Sequence, residues 1–224
     1  MSVRAASPGR LPVVILISGT GSNMRVIAER AARGELPIDI RAVISDRADA
    51  RGLATAAAMG IPVATLSPKD FPDRPSFDAA LARLINQYHP ALLVLAGFMR
   101  ILGGEFTSQF SGRALNIHPS LLPKYRGLHT HRRALEAGDA QHGVSVHFVT
   151  EELDGGPIVI QARVPVLPGD TEATLSARVQ RQEHRVYPEV VEWFASGRLA
   201  CRDGQAWLDG VPLTTPVIRE DPNP

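Results

Sequence analysis

The chain is poor in cysteine and in net charge, and it has no long apolar run. Cys201 is the single cysteine among 224 residues, which excludes an intramolecular disulfide and a cysteine-based metal cluster. The net charge of +1 gives no electrostatic reason to expect nucleic acid as a partner. No stretch approaches the length of about 20 apolar residues that a membrane helix needs, and residues 1–10 lack the apolar run of a signal peptide. These absences predict a soluble, cytoplasmic protein that binds neither nucleic acid nor a membrane.

The first half of the chain alternates between strand and helix patterns. Residues 13–17 form a continuous β-branched and leucine run, which is typical of a strand buried on both faces. Further strands are predicted at 38–44, 61–66 and 91–96, and helices at 22–33, 48–59 and around 77–88. This order predicts an α/β fold of the Rossmann-like, three-layer kind, with a mixed, mainly parallel sheet and helices on both faces.

The pattern changes at about residue 112. Strands are predicted at 114–117, 144–149 and 157–164, followed by a long helix at 171–195 and a hairpin around Asp203-Gly204. We expect a single domain over residues 11–213, with halves at 11–111 and 112–213. The termini, residues 1–10 and 214–224, are expected to be loose because proline and charge dominate the tail.

A glycine-containing turn joins the first strand to the first helix at residues 18–23. Backbone N–H groups at a helix N-terminus, approached through glycines, form an anion site. A dinucleotide fingerprint, with Asp46 as the ribose-binding acid, is an alternative. Met24 stands where that fingerprint needs a third glycine, so a single phosphate fits better. A tight structural turn capped by Ser22 also remains open.

Asn116 and His118 lie at the end of a predicted strand. Side chains two apart share a strand face, so this amide and this imidazole point the same way. Together they have the chemistry to stabilise a negative oxygen and to move a proton. Asp154, in the loop at 150–157, is the natural carboxylate partner for His118 and would raise the pKa of its imidazole. The alternatives are polar residues that merely hydrogen-bond a loop, and an ordinary Asp-Gly turn.

Histidine is concentrated in one part of the chain, since five of the seven histidines fall between residues 118 and 147. This density invites a zinc site, but there is no His-Glu-x-x-His helix and no nearby cysteine, so no metal is predicted. His147 lies on a strand face opposite Val146 and Phe148, where it either reaches a cleft or satisfies a core hydrogen bond. In the last helix, Glu183 falls inside the apolar stripe and needs a partner, either a ligand or a structural arginine.

Six motifs occur in order: the turn at 19–23, the segment at 95–102, the strand end and loop at 116–123, and the stretches at 127–131, 145–149 and 153–157. Over roughly residues 11–213 the chain resembles the glycinamide ribonucleotide formyltransferases (phosphoribosylglycinamide formyltransferases) of purine biosynthesis. Thr20 departs from the expected pattern, where bacterial relatives would carry Asn. Its side chain is expected to point away from the amides of the turn.

The resemblance implies a role for each matched residue. It implies a phosphate-binding first half and a catalytic, folate-binding second half. The catalytic residues that it implies are Asn116, His118 and Asp154. The implied contacts of glycinamide ribonucleotide are Gly21, Ser22 and Asn23 at the phosphate, and Gln180, Arg181, Gln182 and Glu183 near the glycinamide. The implied folate contacts are Arg74, Met99, Arg100, Ile101, Leu102, Asn116, Thr150, Glu151, Glu152, Leu153 and Asp154.

The activity implied by this resemblance is transfer of the formyl group from 10-formyltetrahydrofolate, a co-substrate, to the amine of glycinamide ribonucleotide. No metal takes part, and the protein is expected to be a monomer or a homodimer. Two alternatives stay open at this point. A formyltetrahydrofolate hydrolase would give the formyl group to water, and a Rossmann-type nucleotide-binding protein would use only the glycine turn.

Overall fold

The computed structural model describes residues 9–221 of the chain. Two compact units divide it, the first ending at Asn116 and the second beginning at Ile117. Within the described part, no helix is long and apolar enough to cross a membrane.

Parallel strands form the centre of the first unit. They are β1 (Leu11–Ile17), β2 (Ile38–Ser45), β3 (Val63–Thr65), β4 (Leu92–Leu95) and the start of β5 (Ala114–His118). Their order across the sheet is β3-β2-β1-β4-β5, with every pairing parallel. Residues 13–17 of β1 are completely buried, as expected for a central strand covered on both faces.

The helices of the first unit follow from this strand order. They are α1 (Ser22–Ala32), α2 (Arg51–Ala58), α3 (Arg74–Asn86) and α4 (Gly104–Gln109). The chain moves outward from β1 to β3 and then returns to β4 on the other side of β1. Right-handed crossovers therefore place α1 and α2 on one face of the sheet and α3 on the other. The carboxyl ends of β1 and β4 flank the point of reversal, where ligands bind in such sheets.

The second unit contains antiparallel strands and the longest helix. Its elements are α5 (Thr130–Glu136), β6 (Gln141–Phe148), β7 (Ile158–Pro165), α6 (Glu172–Ala195), β8 (Leu199–Arg202), β9 (Gln205–Leu208), β10 (Val211–Pro212) and β11 (Val217–Glu220). β6 pairs antiparallel with β7, and β7 pairs parallel with β11. Strands β8, β9 and β10 form a separate three-stranded sheet. The hairpin turns at Asp203 and Gly204, whose φ angles of 50° and 72° match the twist of the strands.

The structure corrects two predictions in the second unit. The tail from residue 214 is not loose throughout, because β11 pairs with β7 from Val217 to Glu220. The strand pattern of Val217–Glu220 is only four residues long and is flanked by proline and charged residues, so the sequence alone did not indicate it. In α6, the buried polar and charged residues are Arg178 and Gln182, which are 8% and 4% exposed, whereas Glu183 is only half-buried. The predicted looseness of residues 1–8 and 222–224 lies outside the described part of the chain.

Candidate functional site

Asp154 lies between two buried imidazoles in the second unit. Its Oδ2 is 3.4 Å from Nδ1 of His118, and its Oδ1 is 3.7 Å from Nε2 of His147. The backbone N–H of Gly127 donates to Oδ2 at 2.9 Å. The structure thus brings His118 and Asp154 together and adds His147, for which the sequence pattern had left open a cleft or a core role. Because side chains alternate between the two faces of strand β6, the sequence pattern already placed His147 on the face opposite Val146 and Phe148.

The loop that carries Asp154 depends on the glycines that follow it. Asp154 itself has a φ of 49°, in the left-handed region. A Cβ at Gly156 would overlap the carbonyl oxygen of Phe148, and one at Gly155 would overlap the side chain of Glu152. Only glycine fits at position 156, because the overlap there is with backbone, whereas the exposed Glu152 side chain would have to move for a side chain at position 155.

Both imidazoles that face Asp154 are also bound to a backbone carbonyl. Nε2 of His118 is 2.9 Å from the Tyr125 carbonyl oxygen, and Nδ1 of His147 is 2.9 Å from that of Phe148. A carbonyl oxygen only accepts, so these nitrogens carry the hydrogen. The remaining nitrogen of each ring is the one that faces Asp154. A second proton on either ring would therefore lie on the nitrogen that faces the carboxylate of Asp154.

The protonation of His118 is set by opposing effects. Burial lowers the pKa of its imidazole below the ordinary 6.5, and the Tyr125 carbonyl and Asp154 oppose this without outweighing it. The predicted rise is therefore wrong in direction, because the desolvation of a nearly enclosed ring exceeds the attraction of one carboxylate. Burial raises the pKa of Asp154, but the hydrogen bonds from His147 and Gly127 and the charge of His118 bring it below 3.8. At neutral pH the pair is a neutral imidazole beside a carboxylate.

A second pair of histidines in this unit has no carboxylate between its rings. Nδ1 of His131 is 3.1 Å from Nε2 of His142, which is 1% exposed. Burial and the neighbouring His131 lower the pKa of His142 to about 4, and burial lowers that of His131. Among residues 9–221, no group of three or more His, Cys, Asp or Glu side chains is placed to hold a metal ion.

The predicted phosphate turn has a glycine partner on another helix. Gly21 adopts a φ of 68° as the N-cap of α1, and no side chain caps this helix end. The N–H of Gly52 donates to the Gly19 carbonyl at 3.0 Å. A Cβ at Gly52 would come 2.5 Å from Cδ1 of Ile17 and 3.1 Å from Cα of Gly21. Gly52 was missed because nothing in its own stretch of sequence indicates this close approach.

Asp46, the candidate ribose-binding acid, has another partner. Its side chain is 1% exposed, and its Oδ2 accepts from Nε of Arg100 at 2.6 Å. A carboxylate held in this way has one oxygen already bound and little access to a sugar hydroxyl. This arrangement disfavours the dinucleotide alternative. It also directs the Arg100 guanidinium, an implied folate contact, to a protein carboxylate.

The segment from Met99 to Leu102 presents apolar side chains on a fixed backbone. Met99 and Ile101 are 66% and 53% exposed, whereas Leu102 is buried. The N–H of Met99 donates to Oγ of Ser18 at 2.8 Å. Exposed apolar groups on a held loop are suited to contact a flat, apolar ligand.

The other implied contacts fall into exposed and engaged groups. The exposed ones are Arg74, Thr150, Glu151, Glu152, Leu153, Gln180 and Arg181. Glu152 forms an ion pair with Arg126. Gln182 is engaged, since its amide donates to Oδ1 of Asp221 at 2.9 Å, which removes it from the surface. Asn116 is half-buried on β5, the strand that ends with His118.

Comparison with known proteins assigns the chain and its fold to a class. The chain belongs to the formyl transferase family, whose model matches residues 11–191. It is 54% identical over 201 residues to phosphoribosylglycinamide formyltransferase of Escherichia coli (strain K12), covering 90% of this chain and 95% of the relative. The phosphoribosylglycinamide formyltransferase structure from Coxiella burnetii matches with a TM-score of 0.90 and 52% identity, covering 94% of this chain and 99% of that one. The predictions of the family, the fold class and formyl transfer are confirmed.

The hydrolase alternative has a weaker match. A formyltetrahydrofolate deformylase structure from Pseudomonas putida KT2440 matches with a TM-score of 0.79 and 27% identity. The alignment covers 91% of this chain but only 72% of that one. The fold is therefore shared with deformylases, while sequence identity and length both favour the transferases.

Proposed function

We propose that the protein transfers the formyl group of 10-formyltetrahydrofolate to the amine of glycinamide ribonucleotide, in purine biosynthesis. The products are formylglycinamide ribonucleotide and tetrahydrofolate. The observation that carries this proposal is the carboxylate of Asp154 held between two imidazoles, in a chain 54% identical to the E. coli transferase. Transfer from N10 of a folate to an amine needs a group that takes up a proton and later returns it, and His118 has that chemistry.

The proposed step begins with attack of the substrate amine on the formyl carbon. A C–N bond forms, the carbonyl electrons move to oxygen, and neutral His118 accepts a proton from the attacking nitrogen. Asp154 stabilises the imidazolium that results. The Asn116 amide donates to the oxyanion. The carbonyl then re-forms, the bond to N10 breaks with its electron pair on N10, and His118 returns the proton there.

Access to His118 requires an exchange of partners. Both of its ring nitrogens face protein acceptors, the Tyr125 carbonyl and Asp154. A substrate group can reach Nε2 only if it replaces the carbonyl of Tyr125, since loss of Asp154 would remove the stabilising charge. In that exchange the ring hydrogen moves from Nε2 to Nδ1, where it is donated to Asp154, and Nε2 then has the lone pair that accepts the proton. Tyr125 has a φ of 56°, in the left-handed region that residues other than glycine rarely adopt, so the carbonyl that binds His118 lies on an unusual backbone conformation.

We propose the substrate contacts as follows. Gly21, Ser22 and Asn23 hold the phosphate at the N-terminus of α1, supported by the glycine at the N-cap, which supplies no side-chain cap at that helix end. Met99, Ile101 and Leu153 contact the folate, supported by their exposure. Arg74 reaches its distal carboxylates. The remaining proposed contacts are Arg100, Leu102, Asn116, Thr150, Glu151, Glu152 and Asp154 for the folate and Gln180, Arg181 and Glu183 for the glycinamide part.

The setting of the reaction is also a proposal. We expect the enzyme to work in the cytoplasm on these two small molecules, as a monomer or a homodimer and without a metal. Dialysis against a chelator should leave kcat unchanged. A chelator-induced loss that zinc or magnesium restores would contradict the metal-free mechanism.

The decisive assay follows deformylation of 10-formyltetrahydrofolate with and without glycinamide ribonucleotide. We expect deformylated folate only when the ribonucleotide is present, together with formylated ribonucleotide in equal amount. Production of formate without the ribonucleotide would instead identify a hydrolase. Asn116→Ala should lower kcat by about 10²- to 10³-fold, the effect of losing one oxyanion donor. A change of only a few-fold would remove Asn116 from the mechanism.

A further inference from the structure

The first unit contains a buried carboxylate, Asp78, that the mechanism does not use. The residue is 5% exposed, and its Oδ2 accepts a hydrogen bond of 2.8 Å from the backbone N–H of Gly103. Its Oδ1 is buried and has no hydrogen-bond partner in the described structure. Burial raises the pKa of Asp78, and Arg74 acts against that rise. A half-satisfied carboxylate is a costly group to bury, so its one bond is the feature to explain.

Gly103 immediately follows the apolar segment from Met99 to Leu102. At the start of that segment, the N–H of Met99 is bound by Ser18 at 2.8 Å. At its end, the N–H of Gly103 is bound by Asp78. A side chain just after β1, Ser18, and one from α3, Asp78, thus hold the two ends of the segment, while Met99 and Ile101 stay exposed between them.

Arg74 lies at the same place. A Cβ built on Gly103 would be 3.2 Å from Oδ2 of Asp78 and 3.8 Å from Nη2 of Arg74. Asp78 follows Arg74 by one turn of α3, and a cavity of about 280 Å³ adjoins both residues. The carboxylate therefore stands next to two groups proposed to contact the folate, the guanidinium of Arg74 and the end of the apolar segment.

We infer that Asp78 is a positioning residue for the formyl donor, which it serves by holding Gly103 and thereby the segment from Met99 to Leu102. This inference rests on the proposed function, because it takes that segment as part of the folate site. Asp78 touches no reacting atom. Its effect should fall on the KM for 10-formyltetrahydrofolate rather than on kcat or on the KM for glycinamide ribonucleotide.

The first test compares Asp78→Ala with Asp78→Asn in the full-length enzyme. The amide oxygen of Asn still accepts from Gly103, whereas Ala does not. We expect Asp78→Ala to raise the donor KM by about tenfold, the size of one charged hydrogen bond, with kcat and the ribonucleotide KM within about twofold. Asp78→Asn should restore the donor KM to within about threefold of wild type. Amide exchange at Gly103 should be fast in the Ala variant and slow in the Asn variant.

A second pair of variants tests the same hydrogen bond from the donor side. Gly103 has a φ of −79°, which proline tolerates. Gly103→Pro removes the N–H, while Gly103→Ala keeps it and adds a similar Cβ. The donor KM of the Pro variant should exceed that of the Ala variant by about tenfold. This pair decides the question even if Asp78→Ala does not fold.

Three outcomes would overturn the inference. They are an unchanged donor KM in Asp78→Ala, an equal rise in the KM of both substrates, and equal values for Gly103→Pro and Gly103→Ala. Failure of the proposed function would show differently, because wild-type enzyme would then form no formylated ribonucleotide. In that case the exchange rate at Gly103 would still report the hydrogen bond itself.

Discussion

The second unit contains two pairs of neighbouring histidines, which differ in whether a carboxylate lies between the two rings. Asp154 lies between His118 and His147, whereas His131 and His142 face each other directly. Burial lowers the pKa of His118, but Asp154 opposes the shift, while in the other pair the neighbouring imidazole adds to it and brings His142 to about 4. The first arrangement can accept a proton during a reaction. The second arrangement disfavours protonation of His142, and we expect it to affect the stability of the fold rather than the reaction.

The largest expected effect comes from His118→Gln. The variant keeps a polar side chain but cannot carry a proton, so kcat should fall by about 10³- to 10⁴-fold. The acidic limb of kcat/KM should also disappear, since neutral His118 is the active form and that limb lies below pH 6.5. Steady-state rates across pH measure both effects. A variant that keeps the limb would place the titrating group elsewhere.

Asp154→Asn should have the next largest effect. The amide cannot stabilise an imidazolium, so we expect kcat to fall by about 10²- to 10³-fold. Loss of the opposing charge should move the acidic limb of kcat/KM to lower pH, because only the Tyr125 carbonyl then opposes the effect of burial on the pKa of His118. If the limb moved to higher pH, Asp154 would not be the group that favours the charged ring.

The pair of His131 and His142, which has no carboxylate between its rings, predicts that the fold loses stability at acidic pH. The pKa of His142 is about 4 in the folded chain and 6.5 as the ordinary value. As the pH falls below 6.5, the unfolded chain binds the proton first. The stabilisation is therefore complete above about pH 6.5 and is lost as the pH approaches 4, by at most about 3 kcal/mol.

Urea unfolding midpoints at pH 7.5 and 4.5 measure this loss. His142→Gln keeps a hydrogen-bonding side chain without titration, so its midpoint should depend less on pH. His89→Asn, at an exposed position with a φ of 49° that Asn accepts, is the matched control and should behave as wild type. Equal pH dependence in all three proteins would assign the acid sensitivity to other groups.

The smallest expected effect comes from His147→Leu. Asp154 loses the imidazole that faces its Oδ1 but keeps the hydrogen bond from the Gly127 N–H and the facing ring of His118. We expect kcat to fall by about tenfold, equivalent to about 1.4 kcal/mol. The pKa of Asp154 should rise, so activity should be lost at a higher pH than in the wild type as the solution is acidified. A loss as large as that of His118→Gln would make His147 a proton carrier too.

Much of the fold followed from local patterns. The buried β-branched runs, the helix of 172–195 and the Asp203-Gly204 turn each have a periodicity or a turn signal within a few residues. β11 was missed because the four-residue strand derives its stability from pairing with β7, not from its own pattern. In α6 the apolar spacing placed Glu183 inside the stripe, four residues after the buried Val179, but it did not indicate that the neighbouring Gln182 is the more deeply buried of the two.

The residues of the site likewise divide into those that a local motif indicated and those that depend on contacts between distant parts of the chain. His118 and Asp154 were paired on chemistry, since each belongs to a motif of its own. The contacts of Gly52 with the glycine turn, of Asp78 with Gly103 and of His131 with His142 depend on which elements the fold places together. The sign of the His118 pKa shift depended on burial, which no spacing of residues reports.

The last strand also protects the protein against self-association. β7 has eight residues, most of them buried, and β11 covers one of its edges by parallel pairing. A chain cut before Val217 would expose a row of unpaired N–H and C=O groups beside an apolar face, which is a template for strand addition by another molecule. Proteolysis of this short C-terminal segment would thus convert a catalytic protein into an aggregation seed while leaving His118 and Asp154 in the chain.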